Sequence, residues 1–246
     1  MFARLKNRYL TQKRDQAIED LSSCYERSYC GDDFFAADRT MAFYDDEKFQ
    51  SVLDKHAKGG PYPGMAWRLH VLFWAIEKAL KVEGALCEFG TFRGFKMNCV
   101  VDYFGEALSQ RDVYLFDTFE GVDPKQRDGS PIEPEEHQKV GLYDFVQNRF
   151  SSYKNVQIVK GAAPHSLSQV APLGQVAFMH LDMNSYQAEI GVLDALWDSM
   201  PKGAVVILDD YGLNTHRAQM EHELPWFKEK GYTPLELPTA QAIIVK

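Results

Sequence analysis

The sequence predicts an α/β fold: a mostly parallel, seven-stranded sheet with helices on both faces, an antiparallel strand near the C-terminus, and a helical extension at the N-terminus. Three observations carry this. From residue 85 onward, short apolar runs alternate with longer amphipathic stretches, the pattern of strands joined by crossover helices. Runs such as "ALCEFG" and "AVVILDD" are nearly continuous in apolar residues before they end in charge. The last two runs, in "TPLELPTAQAIIVK", are joined too tightly for a crossover helix, so they must be antiparallel.

Residues 1–60 are polar and helical in tendency, with scattered apolar positions such as Leu5, Ile18 and Leu21. They form an extension that covers an acceptor or contacts another subunit. The aromatics Tyr25, Tyr29, Phe34, Phe35, Phe43 and Tyr44 fit helix packing better than a ring-binding pocket. "GGPYPG" (59–64) breaks the chain, and residues 61–246 form the main domain. "MAWRLHVLFWAIEKALKV" reads as one amphipathic helix ending before Gly84. Strands follow at 85–90, 112–117, "VQIVKG", 176–182 and "AVVILDD", and helices at 96–108, "YDFVQNRFSS" and "AEIGVLDALWDSM". "RAQMEHELPWFKEKG" is expected to be a helix broken near Pro225. The insert at 122–140 is too rich in Pro, Gly and charge for a core and reads as a mobile loop.

The composition excludes several classes. A net charge of −8 argues against a general nucleic-acid binder, which needs a basic face. The four cysteines show no C-x-x-C spacing, and Cys87 reads as a small hydrophobe in a strand. No secretory leader and no apolar run of membrane-spanning length is visible, so a cytoplasmic protein without a membrane partner is expected.

Ligands of open α/β sheets bind beyond the carboxyl ends of the strands. The first strand ends "CEFGTFRGFK", where Gly90 and Gly94 bracket a turn but G-x-G-x-x-G is absent. Glu88, just before that turn, would repel a pyrophosphate and suits a cationic ligand such as S-adenosylmethionine. Asp117 ends the second strand, where a carboxylate can accept from a ribose diol. Gly161, Ala162 and Ala163 follow the third and leave room for a flat base. Asp182 ends the fourth strand, and Asp209 and Asp210 the fifth. Three converging carboxylates repel one another unless something positive joins them, and hard oxygen ligands suit Mg²⁺. On that reading chelation stops the reaction, and removing one carboxylate relieves repulsion in the metal-free fold. Arg93 and Lys96 are either phosphate binders or a solvated helix start. His180 reads as a packed core histidine, and His216 and Arg217 as an exposed helix start near the mouth.

Taken together, "CEFGTFRGFK", "LFDTFEGVDP", "VKGAAPHSL", "HLDMNSY" and "VVILDDYG" resemble, in order and spacing, the motifs of the macrocin O-methyltransferase (TylF-type) family of class I S-adenosylmethionine-dependent methyltransferases. The resemblance covers roughly residues 60–246. It implies the Rossmann-like class I methyltransferase fold and methylation of a sugar hydroxyl on a natural product, with S-adenosylmethionine and Mg²⁺. It implies cofactor contacts from Glu88, Phe89, Gly90, Thr91 and Phe92, and from Asp117, Thr118 and Phe119 through Gly121. It further implies metal ligation by Asp182, Asp209 and Asp210, a general base at Asp182, and a cofactor-covering Met65. Asn184 and Phe95 depart from the family pattern, which often has aspartate and glycine there. His216 remains an alternative base.

Three other readings compete. A catechol-type O-methyltransferase would favour a lysine shortly after the metal aspartate, and "DMNSY" has none. A non-catalytic cofactor-binding module would not need three aspartates. A nicotinamide oxidoreductase is opposed by Glu88 and the missing glycine motif. The expected partner is a small-molecule acceptor, a sugar or glycoside, and the N-terminal helices could also pair with a second subunit.

Overall fold

The computed structural model describes residues 2–31, 34–57, 62–127 and 140–246, which fall into two compact units, Met1–Trp67 and Arg68–Lys246. Most of the 122–140 insert therefore lies outside the described residues, including the part expected to be a mobile loop.

In the first unit, α1 (Phe2–Ser22) is followed by a β-hairpin rather than more helix. Strands β1 (Ser28–Gly31) and β2 (Phe34–Ala37) pair antiparallel, with Tyr29 opposite Ala36. Tyr29, Phe34 and Phe35 favour a pleated surface, and here that preference prevails over the helical character of the surrounding sequence. The rings of Tyr29, Phe34 and Phe43 each contact Trp67, with centroids 5.5, 5.6 and 5.3 Å away. The aromatics of this region are therefore a packing cluster, but one built on a hairpin. Gly31 is required there, because a Cβ would lie 2.0 Å from the Gly64 carbonyl oxygen. Helix α2 (Glu47–Ala57) completes the unit, and α3 (Ala66–Ala79) leads out of it.

The second unit contains a seven-stranded sheet. Its strands are β3 (Ala85–Phe89), β4 (Val113–Asp117), β5 (Val156–Lys160), β6 (Val176–Leu181), β7 (Val205–Leu208), β8 (Leu235–Glu236) and β9 (Ala242–Val245). Their spatial order is β5-β4-β3-β6-β7-β9-β8. The first five are parallel, and β9 runs antiparallel to both β7 and β8. Side chains alternate between the two faces of the sheet. Cys87, Phe89, Met179, Leu181, Val206 and Leu208 share one buried cluster with Val192, Leu193 and Phe227. Those last three lie on α6 (Tyr186–Leu196) and α7 (Arg217–Glu229), while α4 (Phe95–Phe104) and α5 (Leu142–Phe150) serve the crossovers near β3 and β4.

Helix α7 runs through Pro225 without breaking. Proline removes one donor from the helix, but Pro225 is exposed, so the carbonyl it leaves unpaired can face water. All four cysteines are free, and Cys87 is fully buried.

The connection order reverses between β3 and β6, which opens a crevice at the carboxyl ends of these strands. Gly90 sits at this point with φ 91°. A Cβ on it would lie 1.8 Å from the Asp182 carbonyl oxygen. The glycine is thus required by the neighbouring strand end.

Candidate active site

A cleft occupies the switch point, where open α/β sheets bind their ligands. Each wall comes from one strand end: Gly90 and Phe92 after β3, Asp117 and Thr118 at β4, Gly161–Ala163 after β5, and Asp182–Ser185 after β6. Three non-glycine residues around it hold left-handed backbone: Phe92 (φ 49°), Phe119 (φ 55°) and Asn184 (φ 55°). Such conformations are costly and cluster at functional sites. Asparagine tolerates this region better than most residues, which suits Asn184 to its position.

Asp117 is rigidly set. Its Oδ2 accepts from the Phe92 N–H at 2.7 Å and its Oδ1 from the Phe119 N–H at 2.6 Å. Gln126 and Ser185 were not singled out from sequence, yet both brace the cleft. Gln126 Nε2 donates to the Ala163 carbonyl at 2.7 Å, and Ser185 Oγ donates to the Gln126 carbonyl at 2.5 Å.

Of the expected cofactor residues, Gly90, Phe92, Asp117, Thr118, Gly161, Ala162, Ala163 and Asp182 line the cleft. Glu88, Phe89, Thr91 and Phe119 are buried and do not line it. Met65 lies in the other unit. The carboxylates that line the cleft are those of Asp117, Asp123 and Asp182. Among the described residues lining the cleft, these three are acidic and none is basic.

Asp182, Asp209 and Asp210 do converge, with one carboxylate oxygen from each lying within 4.8 Å of the others. Cations from the chain itself join them. Lys96, in the first turn of α4, bonds Asp182 Oδ2 and lies 3.1 Å from Asp209 Oδ2. Arg68, on α3, lies 2.8 Å from Asp209 Oδ2 and 3.4 Å from Asp210 Oδ1, and donates to the Asp209 carbonyl at 2.7 Å. Asp209 Oδ1 takes His180 Nε2 at 3.2 Å and Gln241 Nε2 at 2.8 Å. The other ring nitrogen of His180 lies 3.4 Å from Glu88 Oε1.

One sequence expectation is corrected here. Lys96 is neither a phosphate binder nor a solvated helix start; it is 9% exposed and committed to two aspartates. Glu88 belongs to the buried polar cluster behind His180. The core placement of His180 holds, at 0% exposure. Arg217 is an exposed helix start paired with Glu221. Arg68 had no sequence signal of its own, because it sits inside a helix that reads as simply amphipathic.

The electrostatics follow from this wiring. Burial opposes charge on Asp209, yet Arg68 and Lys96 hold its carboxyl well below the usual range. Burial likewise opposes the Lys96 ammonium, but Asp182 and Asp209 keep it raised and charged. Asp182 differs: burial pushes it up, Lys96 pulls it down, and Asp209 and Asp210 push again, leaving it at about 7. A carboxylate poised near neutrality in a cleft is a general-base candidate.

The sheet order, the C-terminal antiparallel strands and the acidic cleft at the switch point define a class I methyltransferase fold. The O-methyltransferase NovP superposes with a TM-score of 0.63 at 18% identity, over 80% of this chain and 88% of that one. CalS11, a calicheamicin methyltransferase, gives 0.60 at 18% identity, over 86% and 95%. A family model of macrocin-O-methyltransferase (TylF) matches residues 33–230, and the chain belongs to that family. It is 30% identical over 165 residues to 8-demethyl-8-(2,3-dimethoxy-alpha-L-rhamnosyl)-tetracenomycin-C 4'-O-methyltransferase of Streptomyces olivaceus. It is 28% identical over 184 residues to mycinamicin III 3''-O-methyltransferase of Micromonospora griseorubida. These matches cover 61% and 65% of this chain, and 62% and 71% of the two relatives. No helix among the described residues is long and apolar enough to cross a membrane.

Proposed function

We propose that this chain transfers a methyl group from S-adenosylmethionine to a sugar hydroxyl of a natural product. The observation that carries this reading is the charge of the cleft: Asp117, Asp123 and Asp182 line it, with no basic side chain among the described lining residues. A dinucleotide would bring a pyrophosphate into that field. A sulfonium nucleoside brings a cation and no phosphate, and it fits. S-adenosylmethionine supplies the electrophilic methyl carbon.

The residues of the chain do the rest. Asp117, oriented by two backbone amides, is the carboxylate that would take a ribose diol. Gly161, Ala162 and Ala163 leave space for the base, and Met65 is proposed to cover the cofactor. Asp182 holds Lys96 through Oδ2, so Oδ1 is the oxygen that receives the acceptor's proton. Both relatives named above are O-methyltransferases by name, and the name of the first includes a rhamnosyl group, which supports a glycoside acceptor.

Mg²⁺ on Asp182, Asp209 and Asp210 is supported by their grouping within 4.8 Å. The arrangement itself does not suit it. Both oxygens of Asp209 are engaged, by Lys96 and Arg68 on one and by His180 and Gln241 on the other, and Lys96 also occupies Asp182 Oδ2. No step is therefore routed through a metal.

The test is transfer of labelled methyl from S-adenosylmethionine to a panel of deoxysugar glycosides and catechols, with product mapping. An O-methyl sugar is expected. Methylation of catechols alone would replace this reading with the phenolic one.

A further inference from the structure

The sequence led us to expect a metal wherever three carboxylates meet, and the structure offers a different cation. Lys96 is an unusual residue for its position. Its ammonium is buried in the first turn of α4, where the helix dipole disfavours positive charge and the backbone N–H groups already point outward. Burying a charge there is tolerated only with close partners of opposite sign. It has two, and they are two of the three carboxylates that a metal would use. Arg68 similarly spans Asp209 and Asp210 from the far side. Three carboxylates thus face two fixed cations.

We propose that the Lys96 ammonium is the resident cation of this cluster, standing where a divalent metal would otherwise bind, so that the chain holds Asp182 in place without one. Lys96 is a positioning residue on this account. It fixes Oδ2 of Asp182 and thereby aims Oδ1 at the acceptor. An ammonium can do this because the task is to orient and partly neutralise a carboxylate, which needs one charge and directed N–H donors. It cannot be displaced cheaply, since its loss would leave Asp182 and Asp209 buried and facing each other. The proposal rests on the methyltransferase reading only for the purpose of Asp182. The cation assignment concerns the cluster itself.

The decisive experiment titrates Mn²⁺ into the full-length chain loaded with S-adenosylhomocysteine and follows free Mn²⁺ by electron paramagnetic resonance. The same samples are checked by calorimetry for S-adenosylhomocysteine binding. The wild type should bind Mn²⁺ at least about tenfold more weakly than Lys96→Met, because removing the ammonium frees oxygen ligands and adds a net negative charge. Lys96→Arg, which keeps a cation, should exclude Mn²⁺ as the wild type does. Equal Mn²⁺ affinity in wild type and Lys96→Met overturns the proposal. Should Lys96→Met fail to fold, the wild type decides alone: stoichiometric, sub-millimolar Mn²⁺ binding overturns it, and absence of binding supports it. Loss of S-adenosylhomocysteine binding in the wild type would instead strike the methyltransferase reading and leave the cation assignment to the Mn²⁺ result.

Discussion

Two acidic clusters lie near the end of β6, and their surroundings differ: one has cations and the other has none among the described residues. Asp182, Asp209 and Asp210 are joined by Lys96 and Arg68. Glu189 on α6 and Glu223 on α7 are buried at 1% and 0% exposure, and among the described residues neither has a Lys or Arg partner. Glu189 Oε1 instead accepts from the Met183 N–H at 3.0 Å and from Gln219 Nε2 at 2.9 Å. Burial pushes both glutamates above the ordinary value of 4.5; Glu223 drives Glu189 further, well above it, while the hydrogen bond to Glu189 pulls Glu223 part of the way back. In one cluster imported cations oppose the burial of the carboxylates; in the other no Lys or Arg does, and burial favours the neutral form. The first reaches the cleft through Asp182. The second supports the turn that follows β6, through the Met183 N–H.

This contrast can be broken in several ways, and the largest effect is expected at the base. Asp182→Asn should lower turnover by about 10²–10⁴-fold while leaving S-adenosylhomocysteine affinity nearly unchanged. In the wild type the rate should rise with pH and level off above about 7, as Asp182 loses its proton. A pH profile flat from 5 to 9 would remove Asp182 from that role.

A stability effect comes next. From sequence, removing one carboxylate was expected to relieve repulsion, and the ion pairs reverse that sign. Asp209→Asn leaves Arg68 and Lys96 short of a buried partner and should cost about 3–5 kcal/mol in urea unfolding. An unchanged midpoint would mean that the cluster is not held as the distances indicate.

The smallest effect concerns the neutral pair. A carboxyl whose folded pKa is raised contributes stability that is complete below its unfolded value and is lost as pH rises through the folded one. Wild-type melting temperature should therefore decline as pH climbs from below 4.5 through the raised values of Glu189 and Glu223. Glu223→Gln, neutral at every pH, should flatten that decline. A mutant whose melting temperature tracks the wild type across this range would show that the pair does not share a proton.

Much of this was legible in the sequence because strand ends are punctuated. The apolar runs between residues 85 and 210 each stop at a glycine or an aspartate, and those residues marked the walls of the cleft. The convergence of Asp182 with Asp209 and Asp210 followed from their neighbouring strands. What joins them was not legible. Lys96 is one lysine at an ordinary helix start and Arg68 one arginine in an amphipathic helix; their targets lie 86 and 141 residues away. Nor was it legible that Gly90 makes room for the Asp182 carbonyl, or that Glu88 lies beside His180. The hairpin at residues 28–37 was masked by polar, helix-prone neighbours.

The central claim is that an acidic, phosphate-excluding cleft anchored by Asp117 holds S-adenosylmethionine. Titration calorimetry of the purified chain with S-adenosylhomocysteine tests it most directly. The account predicts one site per chain, weakened by about 1.5–3 kcal/mol in Asp117→Ala, the range for hydrogen bonds to a charged group, and no heat with NAD. A folded wild type that binds NAD and ignores S-adenosylhomocysteine would contradict it.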